Sequence, residues 1–162
     1  MSLELDIRPE ESLLLTLCRL NFPKELTDRI KASVSTGSDW NYFGSLANQH
    51  GVDALVYHNL KKLELLNSVP ESIMSVLRSA FITSLSRNAY NFEAMNQVLQ
   101  LLNTENIKTV LLKGLALELL VYGNTGLRQM TDVDILISRE MANTGRIGGM
   151  GAGVLMISAR SI

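Results

Sequence analysis

Cysteine occurs once, at Cys18, so no internal disulfide is available to brace the chain. Proline is scarce, with Pro9, Pro23 and Pro70 only, and nothing from residue 71 onward is interrupted by it. An excess of charge of either sign is also missing: 15 Lys and Arg against 16 Asp and Glu leave a net charge of −1. The basic residues are scattered, so no electrostatic footprint for nucleic acid is evident. Long hydrophobic runs are absent too. The longest, Val110 to Tyr122, is broken by Lys113 and Glu118 and is too short to span a bilayer. The opening residues lack the basic start and apolar run of a secretory signal. These absences lead us to expect a soluble, cytoplasmic protein with no membrane partner.

What is present is an ordinary globular composition, 46% apolar and 19% charged over 162 residues. That is enough for one core, or one domain with an appendage. The first hundred residues read as helices. Pro9-Glu10-Glu11 opens a segment to about Leu20, with proline and acids in the turn where the helix dipole favours them. Pro23 opens a second, to about Val34. Ser38 or Asp39 is placed to cap a third that runs to His50, with Trp40, Phe43, Leu46 and Ala47 on one face. Val52–Leu63 follows Gly51, and Asn67–Pro70 is a turn. Glu71 to Asn103 then carries apolar residues at helical spacing, among them Ile73, Val76, Leu77, Phe81, Leu85, Ala89, Phe92, Met95, Leu99 and Leu102, with no proline or glycine.

The pattern changes at Asn103. Ile107–Leu112 is a β-branched and leucine run short enough for a buried strand, and Gly114 ends it. Leu115–Tyr122 is apolar on nearly every side, which predicts a buried helix, closed by Gly123-Asn124. Glu118 within it is expected on a partly exposed face. A loop from Thr125 to Thr131 leads to Asp132-Val133-Asp134-Ile135-Leu136-Ile137. If this stretch is extended, alternation puts Asp132 and Asp134 on one face and Val133, Ile135 and Ile137 on the other. The two carboxylates then lie ~7 Å apart, within reach of a shared hard cation.

The glycine turn, Arg128 and the acid pair together suit metal-assisted chemistry on a nucleoside triphosphate. Asp-x-Asp alone reads equally as a polar strand end, and Lys113 as a lysine lying along a strand end. His50 and His58 have no partners at metal-ligand spacing. Cys18, Trp40, Tyr42 and Phe43 read as packing residues. Beyond Arg139 five glycines crowd residues 145–153, but their spacing does not match a dinucleotide-binding loop, which must also follow a strand. Val154–Ser158 has the composition of one more short strand. The expected organisation is a helical region over 1–103, a strand–helix–strand core over 104–140 and a Gly-rich tail over 141–162.

The segment 111–123, Leu127-Arg128 and Asp132–Ile137 resemble a family of largely uncharacterised bacterial nucleotidyltransferases in the DNA polymerase β-like superfamily. Asp39-Trp40, Leu46-Ala47, His50-Gly51-Val52 and Arg87-Asn88 resemble its helical N-terminal region. The resemblance covers roughly residues 9–139. It implies an α+β fold, with helices packed on a small mixed sheet. It also implies two Mg2+ ions on Asp132 and Asp134, a phosphate turn at Gly114, and phosphate charge neutralised by Lys113 and Arg128. The implied activity is nucleotidyl transfer from a nucleoside triphosphate to a hydroxyl. The acceptor is open: a small molecule, a protein side chain or an RNA end. A related branch with a similar arrangement acts as a bacterial toxin.

The superfamily pattern also calls for a third carboxylate on a later strand. Glu140 is the one acid after Asp134, and six extended residues place it ~20 Å away. The sequence therefore resembles the front of such an enzyme running into an unrelated tail, which a truncation, a shifted reading frame or a natural degenerate copy would each produce. The competing expectation is a catalytically inactive nucleotide-binding or interaction protein. Missing strands would also leave an uncovered sheet edge beside the Asp132 strand, prone to self-association.

Overall fold

The structure, a computed structural model, describes residues 7–137 and the backbone of 155–157. Glu140 and the glycines of 145–153 lie outside the described residues. The helices are α1 (Pro9–Leu17), α2 (Lys24–Ser35), α3 (Trp40–Gln49), α4 (Asp53–Lys62) and α5 (Glu71–Thr104). There follow β1 (Thr109–Leu112), α6 (Lys113–Leu117) continuing as a π-helical turn Glu118–Tyr122, β2 (Val133–Ile137) and β3 (Leu155–Ile157). The α+β class is as the sequence implied. Among the described residues no helix is long and apolar enough to cross a membrane. Two compact units divide the chain: residues 1–83 with Gly126–Arg128, and residues 84–125 with 129–162.

The first unit is helical. Pro9 starts α1, and the backbone N–H of Arg8 donates to Glu11 Oε2 at 3.0 Å. Asp39, one of the two expected caps, accepts from Tyr42 N at 3.0 Å to open α3. Two acids of α1 reach that same end: Glu10 Oε1 accepts from Asp39 N at 2.9 Å, and Glu11 Oε1 accepts from the Tyr42 hydroxyl at 2.7 Å. Tyr42, expected as a packing residue, instead bonds Glu11 and carries the Arg8 guanidinium over its ring at 4.3 Å. Gly51, at φ +63°, turns the chain between α3 and α4 in a conformation that suits glycine. Leu13, Leu17, Ile30, Phe43, Val56 and Leu60 form the buried core.

Asn59 of α4 is 1% exposed, and its Nδ2 donates to Leu17 O at 2.7 Å and to Arg19 O at 2.9 Å. It satisfies carbonyls that the end of α1 leaves without helical partners. Asn59→Leu keeps the branched heavy-atom shape, in a somewhat larger side chain, but orphans both acceptors. It should cost about 2–3 kcal/mol in urea denaturation.

His58 lies partly buried beside Phe81, ring centroids 6.3 Å apart. Burial, and then the charges of Lys62 and Lys61, hold its pKa below the ordinary 6.5. The folded state therefore takes up this proton less readily than the unfolded chain. Stability present above pH 6.5 should be lost as pH falls through the lower folded pKa. Thermal melts from pH 7.5 to 5.5 should show this slope flattened in His58→Gln.

In the second unit, Met95 and Leu102 of α5 pack with Ile107, Leu115, Met130, Val133, Ile135 and Ile137. The sheet order is β1-β2-β3, and both pairings are antiparallel, where the resemblance implied a mixed sheet. Leu112 stands opposite Asp134 in one pairing and Met156 opposite Asp134 in the other. The short strand expected within 154–158 forms, and it fills the edge of β2 that was expected to be uncovered.

Two further expectations change. Leu117, Leu119, Leu120 and Val121 are 42–84% exposed, whereas Glu118 is 2% exposed. The helix expected to be buried shows its leucines to solvent and turns Leu115 and Glu118 inward. Hydrophobicity alone could not orient it, because nearly every position is apolar and three residues per turn compete for the core face. On α5 likewise, Leu85 and Ala89 are exposed while Ser84, Asn88 and Asn91 are buried. Asn88 and Asn91 take the inward face because they have backbone partners there.

Candidate functional site

Alternation along β2 buries Val133, Ile135 and Ile137 (3%, 0% and 5% exposed) and sends Asp134 and Leu136 to the opposite face. Asp132 precedes the strand and is exposed. Asp134 is only 4% exposed, although it lies on the face away from the core, and Lys113 accounts for part of that cover. The antiparallel register sets Leu112 opposite Asp134, so the next residue, Lys113, begins α6 beside the carboxylate. Its Nζ lies 2.9 Å from Asp134 Oδ2.

Lys113 itself has φ +48°, a left-handed conformation that L residues seldom adopt. The sharp turn from strand to helix therefore falls on the lysine. Gly114, the expected turn residue, is not among the positive-φ glycines and is buried within the first turn of α6. The hydrogen bond to Asp134 raises the Lys113 pKa above its ordinary value. The charge of Asp134 adds to the rise; burial opposes it, and the charge of Asp132 contributes least. The strand begins at Val133, so the alternation expected to pair Asp132 with Asp134 holds only from Asp134 onward.

The structure brings Lys113, Gly114, Asp132 and Asp134 together within the second unit. Arg128 is half-buried on the segment Gly126–Arg128, which belongs to the first unit. Among the described residues no three His, Cys, Asp or Glu side chains are grouped to hold a metal ion. The donor set is thus two carboxylates, one of them tied to a lysine. Mg2+ is commonly held by one or two carboxylates, with substrate phosphates and water completing its octahedron. These residues fit one ion arriving with a triphosphate. They do not by themselves fit two.

Asn88 and Asn91 carry no charge and escaped the sequence-level site. Asn88 Nδ2 donates to Thr125 O at 2.5 Å, and its Oδ1 accepts from Met130 N at 3.1 Å. Asn91 Nδ2 donates to Met130 O at 3.2 Å. Both are buried, at 0% and 2% exposure. A signal was available: polar residues at 84, 88 and 91 share the helical face of Met95 and Leu102, where a core stripe should be apolar.

A family model described as "Uncharacterised nucleotidyltransferase" matches residues 36–145, more than half of the chain. No curated protein and no solved structure matches it.

Proposed function

The chain belongs to this uncharacterised nucleotidyltransferase family, and from that premise we propose that it binds a nucleoside triphosphate with one Mg2+ at Asp132 and Asp134 and transfers the nucleotidyl group to a hydroxyl acceptor. The observation that carries this reading is the buried Asp134 carboxylate, 2.9 Å from the Lys113 ammonium at the mouth of a strand–helix turn. A carboxylate this buried needs a countercharge. The lysine supplies it, and a hard cation supplies it equally well.

The side chain of Lys113 is 66% exposed. Its flexible four-carbon stem lets the ammonium leave Asp134 and meet a phosphate oxygen without repacking the core. Asp134 is then free to share a cation with Asp132. Mg2+ bound there would neutralise phosphate charge and polarise the phosphoryl group. The contribution of the chain is to place opposite charges where negative charge accumulates during transfer, and to hold them on a rigid strand.

A second reading, nucleotide binding without turnover, is favoured by the absence of a third grouped acid among the described residues. No described carboxylate joins the pair to orient the attacking hydroxyl or take its proton. The test is pyrophosphate release, with labelling of cell extract by each of the four nucleoside triphosphates. Release that depends on Mg2+ and disappears in Asp134→Ala supports transfer. Joint binding of Mg2+ and nucleotide without release supports the second reading, and neither binding nor release overturns both.

A further inference from the structure

We infer that Asn88 and Asn91 are positioning residues that set the start of β2, and with it the carboxylate pair. Met130 stands two residues before Asp132. Its N–H donates to Asn88 Oδ1, and its C=O accepts from Asn91 Nδ2. Two asparagines one turn apart on α5 therefore satisfy both backbone groups of Met130, as a neighbouring strand would. Asn88 also holds Thr125 O, so one side chain pins both ends of the stretch between the π-helical turn and β2. The Met130 side chain is 2% exposed and belongs to the same core as Ile135. Met130 is thus anchored by its backbone and its side chain together.

This anchoring matters for the acids because strand register is a two-residue alternation. A slip of one residue at the entry to β2 would turn Asp134 inward and Val133 outward. The hydrophobic face of β2 resists such a slip, but Asp132 lies before the strand and has no ladder partner among the described residues to hold it. Its place relative to Asp134 depends on where Met130 is fixed. The Oδ1 of Asn91 is buried with no hydrogen-bond partner among the described residues, so the one described bond of this side chain is the donation to Met130 O.

The role as positioning residues for a metal site rests on the proposed function, whereas the anchoring of β2 does not. The test therefore reads both. Amide exchange of residues 130–134 is measured in wild type, Asn88→Ala, Asn91→Leu and the core control Leu102→Ala, in urea chosen to equalise global stability. Asn88→Ala should quicken exchange there at least about ten-fold relative to the control, as expected for loss of a buried hydrogen bond. Asn91→Leu should give a smaller change in the same place, and it keeps the inference testable if Asn88→Ala does not fold. Exchange no faster than in Leu102→Ala overturns the inference. In parallel, the extra thermal stabilisation by Mg2+ and ATP together should vanish in the asparagine variants and persist in Leu102→Ala. Its persistence in all variants overturns the positioning role. Its absence already in wild type would count against the proposed function, with the exchange result still deciding whether the asparagines hold the strand.

Discussion

Asp134→Asn should abolish the joint stabilisation by Mg2+ and a nucleoside triphosphate while leaving the protein folded. Asparagine matches aspartate in shape and fits the same buried place on β2. The lysine it releases is 66% exposed, so no charge is left stranded in the interior. Lys113 should lose the charged hydrogen-bond partner and the Asp134 charge, the two largest causes of its raised pKa, which falls toward its ordinary value with only the Asp132 charge still raising it. In wild type, ligand at a hundredfold excess over Kd stabilises by about 2.7 kcal/mol, several degrees in melting temperature for a chain of this size. Each ligand alone should give much less, because the cation needs the phosphates and the phosphates need the cation. Asp132→Asn should weaken the effect without removing it, since Asp132 is exposed and lies outside the strand. Equal shifts in wild type and Asp134→Asn would show that the acid pair is not a binding site.

Phe43→Ala should be the most damaging single change in the helical unit, at about 3–5 kcal/mol. Phe43 is 0% exposed and lies in the core with Leu17, Val56 and Leu60. The neighbouring Trp40 ring meets it edge-on, centroids 5.4 Å apart. Alanine removes most of a ring from a site walled by helices, which cannot close over the gap. Trp40 is the single tryptophan of the chain, so its fluorescence reports on this core directly. The variant should show a red-shifted emission and a lower urea midpoint, and a loss under about 1 kcal/mol would mean that the site collapses to fill the space.

Much of this protein was determined by the sequence itself. Pro9 with its two acids, Asp39 as a cap, Gly51 and the unbroken run from Glu71 placed the helices to within a few residues, because caps and breakers act through local hydrogen bonds and fixed dihedrals. Alternation from Val133 to Ile137 likewise placed the buried and outward faces of β2. Tertiary structure decided what local pattern leaves degenerate. A helix apolar all round has no sequence-defined inner face, so Glu118 went inward and Leu120 outward. Antiparallel pairing followed from the meeting of distant segments, with Leu112 brought opposite Asp134. That register put Lys113 on the buried carboxylate and placed the sharp turn on the lysine instead of Gly114. Asn88 and Asn91 are buried where Met130, some forty residues on, brings backbone groups that their side chains satisfy.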